Sequence, residues 1–311
     1  MPPSTRDRLN LPGGGRLVQR YSASNVVVID QHCTSGRTFR WLCSKPASRS
    51  EQLTCESVVE IVAAAQPRMS TRGARALRWN FAREELLPQY HRAMIAAFGL
   101  SLRPAKHCLF LGVGGATLPL YFAQHYPRCI NTLVESEAAV VDIAVRFFGC
   151  IRGPRCRLHR STAAAFLRRF PRGRYDAIFV DVTSSDDPPG SVSAPSPSLR
   201  SRAALHDLRK RLRPGGVLIL NVLGSDMHVR DVGAAMVRAF AGQAQDVVRL
   251  LRTTEGNAVL VGVTVGGASR GRAGASLESI YHDSEHETRG AEPVGWLQAC
   301  ASLDLGVERC A

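Results

Sequence analysis

Lysine is nearly missing from this 311-residue chain: Lys45, Lys106 and Lys210 are the only three, and every other cation except histidine is arginine. The net charge is +14, and clustered cations gain affinity for phosphates by releasing counterions. These arginines are instead spread along the whole chain among Ala, Gly and Pro. That pattern reads as compositional bias with scattered, solvated arginines; a basic face for nucleic acid or an acidic partner is the reading not favoured. No apolar run approaches the roughly 18 residues of a membrane-crossing helix, so no membrane partner is expected. The nine cysteines form no CxxC pair and no Cys/His set at zinc spacing, so no metal site is expected. Several, such as Cys108, read as small core hydrophobes. An odd count without a secretory leader points to a reducing, cytoplasmic setting. Mitochondrial or plastid import is the alternative, because Arg6, Arg8, Arg16 and Arg20 accompany a single acid, Asp7, near the start.

What is present is an ordinary globular composition, 45% hydrophobic and 21% charged, which excludes wholesale disorder, collagen and coiled coil. The length fits one main domain with an accessory piece. Residues 1–20, rich in Pro, Gly and Arg, read as a flexible leader. Two β-like runs, Asn25–Asp30 and Arg37–Cys43, joined by Thr34-Ser35-Gly36, predict a hairpin. Helical spacing runs over about 55–66 and, more strongly, about 82–100, and the segment 21–100 is read as an N-terminal piece of hairpin and helices. From residue 107 apolar strands alternate with amphipathic helices, which predicts an α/β, Rossmann-like, mostly parallel sheet covered on both faces. Seven strands are expected, Cys108–Val113, Thr132–Glu135, Arg155–His159, Tyr175–Val182, Gly216–Leu223, Asp246–Leu251 and Ala258–Val265. The last two have no helix between them and read as an antiparallel pair at an edge. Helices are expected near 116–126, 137–148, 162–170, 198–212 and 228–242. The Pro/Ser-rich stretch 183–198 reads as a long loop and is expected to gate a site. Residues 266–311 read as a partly disordered tail with a short helix around Trp296–Ser302.

The chemistry is carried by strand ends. After the first of the seven strands comes Gly112-Val113-Gly114-Gly115-Ala116-Thr117, a turn whose glycines admit close ligand approach and whose following helix presents free N–H groups. About twenty residues on, Glu135 ends the second strand, where an acid is placed to accept from both ribose hydroxyls of a nucleoside. Asp181 sits at the tip of the fourth strand, where a carboxylate orients or deprotonates an amine. Asp186 and Asp187 in the loop read as solvated turn residues.

The order hairpin, helix, LFLGVGGATLP, LVESE, YDAIFVDV, Pro-rich loop, LRPGGVLILNVL resembles the spermidine synthase-like branch of the class I S-adenosylmethionine-dependent methyltransferases. Within that branch it is most similar to the C-terminal domain of the methyltransferase-like 13 proteins, which modify translation elongation factor 1-alpha. Arg40–Glu51, His91–Ile95, Asp181–Asp186, Leu220–Val222 and the turn Thr254–Asn257 carry the closer likeness, and it covers about 21–265, with the methyltransferase domain proper over 101–265. The resemblance implies that S-adenosyl-L-methionine is the cofactor, with Gly112, Gly114 and Gly115 on its methionine and ribose side, Glu135 on the ribose hydroxyls and Asp181, the catalytic residue, facing the sulfonium. The adenine acid common in the family is absent, and Thr162 stands in its place. Tyr90 and Asn221 are the substrate-side candidates. The implied activity is methylation of an amine on a protein substrate. Aminopropyl transfer in polyamine synthesis is the alternative, disfavoured by Arg92 beside Tyr90-His91 and by Asn221 where a glutamine is usual. A non-catalytic cofactor-binding module is a third reading, and homodimerisation stays open.

Overall fold

A computed structural model describes residues 15–23, 25–45, 54–64, 79–82, 86–171, 174–183, 193–241, 247–264 and 306–309. In chain order the elements are β1 (Arg16–Ser22), β2 (Val26–His32), β3 (Thr38–Ser44), β4 (Thr54–Ala64), β5 (Trp79–Ala82), α1 (Gln89–Phe98), β6 (His107–Leu111), α2 (Thr117–His125), β7 (Ile130–Glu135), α3 (Ala138–Phe147), β8 (Cys156–Arg160), α4 (Ala163–Arg169), β9 (Tyr175–Val180), α5 (Pro197–Arg200), α6 (Arg202–Lys210), β10 (Leu212–Leu223), α7 (Asp226–Phe240), β11 (Val247–Arg252), β12 (Asn257–Val263) and β13 (Gly306–Arg309). They fall into two compact units. One comprises Met1–Pro88, Gly112–Ala163 and Asp187–Ser191; the other comprises Gln89–Leu111, Ala164–Asp186 and Val192–Ala311.

In the first unit an antiparallel sheet runs β1-β2-β3-β4-β5. The expected hairpin is there as β2–β3, with Val26 to His32 facing Ser44 to Thr38. Two expectations are corrected. The leader over 1–20 gives way to strand from Arg16, which pairs with β2. The helical spacing over 55–66 is strand β4, because Thr54, Val58, Val59, Ile61 and Val62 are β-branched, lose χ1 freedom in a helix, and pair with β3 instead. Val26, Val28, Leu42 and Val59 close over Val140, Ile143 and Phe148 at α3 to make a core. Buried Arg40 ties the same layers together. It grips Asp30 through two hydrogen bonds of 2.7 and 2.9 Å and donates from Nη1 to the Phe147 carbonyl at the end of α3, at 2.8 Å. Both residues are 0% exposed, and a buried pair survives because its remaining polar atoms are also bonded. The parallel pair β7–β8 belongs to this unit.

In the second unit the strands lie in the order β13-β11-β12-β10-β9-β6. β9, buried along its whole length, is flanked by β6 and β10, both parallel to it. That is the burial a continuous apolar run such as Ala177-Ile178-Phe179-Val180 requires. Phe110 and Phe179 stack across the β6–β9 pair at 4.6 Å. All seven strands expected from residue 107 are present as β6 to β12, and β11–β12 is antiparallel. That pair is not the edge, because β13 in the tail adds to β11. The helix expected over 82–100 is shorter: Phe81 and Ala82 are in β5, and α1 begins only after Pro88. The loop 183–198 also ends early, since Ala194 pairs with Leu223 and α5 starts at Pro197. Residues 184–192, with Asp186 and Asp187, and 265–305, with the short helix expected near Trp296, lie outside the described residues. Among the described residues no helix is long and apolar enough to cross a membrane.

Asp176 anchors β9 at its start. Its carboxylate is fully buried and accepts from the amides of Lys106 and His107 at 3.0 and 2.9 Å and from Arg103 and Arg213 at 3.2 and 3.1 Å. Burial alone would raise its pKa, but the His107 amide, Arg213 and the Lys106 amide outweigh it and hold the carboxyl below the usual range. Asp176→Ala leaves those donors without their partner and is expected to cost about 3 kcal/mol in denaturant unfolding. A depressed carboxyl contributes fully above its unfolded pKa and loses that contribution as pH falls through the folded one. The gap between parent and variant should therefore narrow in acid.

Candidate functional site

The glycine turn lies in the first unit. Gly112 and Gly114 have φ of 84° and 50°, and Ala116 takes the same left-handed region at 58°, a strained choice for a residue with a Cβ. The turn's own amides are accepted within the chain: Gly112 N–H by the Val134 carbonyl at 2.9 Å, Val113 and Gly114 N–H by Glu135 Oε2 at 3.0 and 3.4 Å, and Gly115 N–H by Ser57 Oγ at 2.9 Å. Glu135 Oε1 accepts from the Glu137 amide at 3.0 Å and, more weakly, from Ser136 Oγ at 3.5 Å. The turn therefore acts as a nest of backbone donors closed on a carboxylate.

Ser57, on β4, carries no local sequence signal, and the sequence reading did not mark it. A Cβ on Gly114 would stand 2.8 Å from Ser57 Oγ, and one on Gly115 2.9 Å from Ser57 Cβ and the Phe148 ring. At these two positions β4 and Phe148 leave no room for a Cβ. Next along, Thr117 Oγ1 is buried without a hydrogen-bond partner among the described residues. Thr117 lines a small pocket with Val58, Leu86, Tyr121 and Phe148, and burial raises the Tyr121 phenol. Thr162 is exposed at the start of α4. Its neighbour Ser161 donates its amide to the Glu135 carbonyl at 2.9 Å, which keeps this segment beside the β7 end.

The second unit gathers the other candidates around Asp181, just past β9. Asn221 on β10 donates to Asp181 Oδ1 at 2.8 Å, and Tyr90 Oη approaches Oδ2 at 3.3 Å. His91 Nε2 stands 3.6 Å from Oδ2, with Nδ1 buried and unpartnered among the described residues. Tyr90 and His91 are brought there by the first turn of α1, which the β11–β12 turn fixes. Glu255 accepts the Gln89 amide at 2.9 Å, while Gln89 Oε1 accepts from Thr254 N and Oγ1 at 2.7 and 2.9 Å. Asn257, at the other side of the same turn, donates to Asn221 Oδ1 at 2.9 Å. One chain of polar contacts thus runs from Thr254–Asn257 to both sides of Asp181. Tyr90, Asp181 and Asn221 were expected together and are together; Gln89, His91 and Asn257 complete the set.

No protein-family model matches the chain. The eEF1A lysine and N-terminal methyltransferase of Bos taurus is 30% identical over 161 residues, 49% of this chain and 23% of that protein. Spermine synthase of Arabidopsis thaliana is 34% identical over 133 residues, 41% of this chain and 35% of that protein. The chain thus spans less than two thirds of either relative. Human methyltransferase-like protein 13, solved in complex with SAH, superposes with TM-score 0.51 at 24% identity over 67% of this chain and 97% of that one. A probable spermidine synthase from Corynebacterium glutamicum superposes with TM-score 0.56 at 17% identity over 84% and 85%. The chain has the spermidine synthase-like class I methyltransferase fold. In this methyltransferase fold the accessory piece is a five-stranded antiparallel sheet, and its strand β4 supplies Ser57 to the glycine turn.

Ser57→Ala strands a buried Gly115 N–H and is expected to cost about 1–3 kcal/mol. Amide exchange should quicken at Gly115 first. Unchanged protection there would remove Ser57 from the turn.

Proposed function

We propose that the chain is an S-adenosylmethionine-dependent methyltransferase acting on an amine of a protein substrate. The reading rests chiefly on the Glu135 carboxylate closed on the glycine turn. A carboxylate has about four acceptor sites, and two of its present contacts, at 3.4 and 3.5 Å, are long enough to yield to ribose hydroxyls. The unpartnered Thr117 hydroxyl adds a donor–acceptor in the same unit, so the residues fit a nucleoside ligand. When bound, the cofactor supplies an electrophilic methyl group.

The chain's own part is alignment and proton handling. Asp181 Oδ2 holds a substrate ammonium or takes its proton, and Asn221, fixed by Asn257, keeps the carboxylate oriented. Tyr90 Oη and His91 Nε2 stand at the same oxygen and stabilise its charge as the proton moves. The name of the cattle relative supports a protein amine as the acceptor, lysine or N-terminal, and cytoplasmic residence belongs to the same proposal. Aminopropyl transfer is the second reading, supported by the 34% identity with a spermine synthase.

The test supplies purified protein with labelled S-adenosylmethionine and cell extract and, in parallel, with decarboxylated cofactor and putrescine. Label is expected in a protein band; product only in the polyamine reaction overturns the reading. Asp181→Asn should lower kcat by about 10²-fold or more, the usual weight of a positioned acid–base group. Glu135→Ala should weaken S-adenosylhomocysteine binding by roughly 2–4 kcal/mol in calorimetry, from the loss of charge-assisted hydrogen bonds.

A further inference from the structure

Two of the cysteines sit opposite each other in the first unit. Cys43 on β3 and Cys55 on β4 are register partners, and their Sγ atoms are 2.9 Å apart. Directly opposed residues of an antiparallel pair have Cα atoms about 4.5–5.5 Å apart, inside the window of about 4.4–6.8 Å that a disulfide spans. The sulfurs need to close by only about 1 Å to reach bonding distance. Their environments divide the labour. Cys55 is exposed and open to a reagent; Cys43 is 0% exposed. Contact with the Cys55 sulfur, then burial, then Glu56 push the Cys43 thiol up, so Cys55 is the thiol that reacts first.

The pair is close along the chain to Ser57, which contacts the glycine turn. Cys55 is two residues before Ser57 on the same strand, and Ser57 Oγ is the acceptor for Gly115 N–H. A bulge between the Leu42 and Cys43 pairings separates the two contacts, which makes this stretch of β4 the part whose register a cross-link would fix.

We propose that Cys43 and Cys55 are a reversible disulfide-forming pair whose bond fixes β4, and with it Ser57, against the glycine turn. A low-molecular-weight disulfide such as oxidised glutathione supplies the oxidising equivalents. The Cys55 thiolate attacks one sulfur of glutathione disulfide, forming a mixed disulfide and releasing a first glutathione thiolate. Cys43 passes its proton to that thiolate and attacks the Cys55 sulfur, which releases the second glutathione. The two protein thiols lose two electrons and two protons, and the glutathione disulfide becomes two thiols.

Peptide mapping of the full chain after exposure to oxidised glutathione tests this. The expected product is a Cys43–Cys55 link with no retained glutathione, reversed by dithiothreitol. Cys43→Ala should instead keep glutathione on Cys55, and Cys55→Ser should leave Cys43 unmodified. A parent chain that retains the glutathione adduct on Cys55, or whose two thiols stay open to alkylation, overturns the proposal. The link to the turn rests on the cofactor reading above and is read separately: oxidised protein should bind S-adenosylhomocysteine at least about threefold more tightly than reduced, and Ser57→Ala should erase the difference. Equal affinity of the two forms overturns that link. A chain that binds no S-adenosylhomocysteine in either state defeats the cofactor reading, while the peptide map still decides the disulfide.

Discussion

The Glu135 carboxylate collects the Val113 and Gly114 amides of the glycine turn after β6, whose backbone is left-handed at Gly112, Gly114 and Ala116. Without an acceptor, a run of N–H groups turned to one side would be a buried cost; with one, it becomes a seat for negative charge and for hydroxyls. The carboxylate takes its place because β7 ends at that residue and the Glu137 amide folds back on Oε1. The rest of the first unit supports this contact. Ser57 takes the Gly115 amide, Phe148 fills the space beside Gly115, and the Arg40–Asp30 pair holds α3 to the sheet that carries Ser57's neighbours.

The second unit solves a different problem with the same means. In the role proposed for it Asp181 must stay oriented yet reactive, and its oxygens are divided. Oδ1 is taken by Asn221, whose amide oxygen is in turn fixed by Asn257. Oδ2 is left to the weaker approaches of Tyr90 and His91 at 3.3 and 3.6 Å. Loose geometry at one oxygen and tight geometry at the other suits the proton handling proposed for this residue.

Much of this was legible in the sequence. Strands β6 to β12 and the helices between them announce themselves by long apolar runs and clear periods, and Glu135 and Asp181 stand where such strands end. β4 was hidden because Val58, Val59 and Val62 also fit a helical face, and only pairing with β3 decides between the two. β1 and β13 carry too few apolar residues to show a period. Ser57 was invisible for a stricter reason: its partner lies 58 residues away, and a hydroxyl in a strand says nothing about what it will accept. The closing of the turn's own amides on Glu135 and Ser57 was hidden for the same cause, since what accepts an N–H depends on a side chain that folds onto it from elsewhere.

Whether Glu135 and the glycine turn together form the cofactor seat is decided by following backbone amide resonances while S-adenosylhomocysteine is added. Val113, Gly114 and Glu137, whose amides now rest on Glu135, should shift together and report one dissociation constant. Saturable shifts elsewhere with these three unmoved would contradict it.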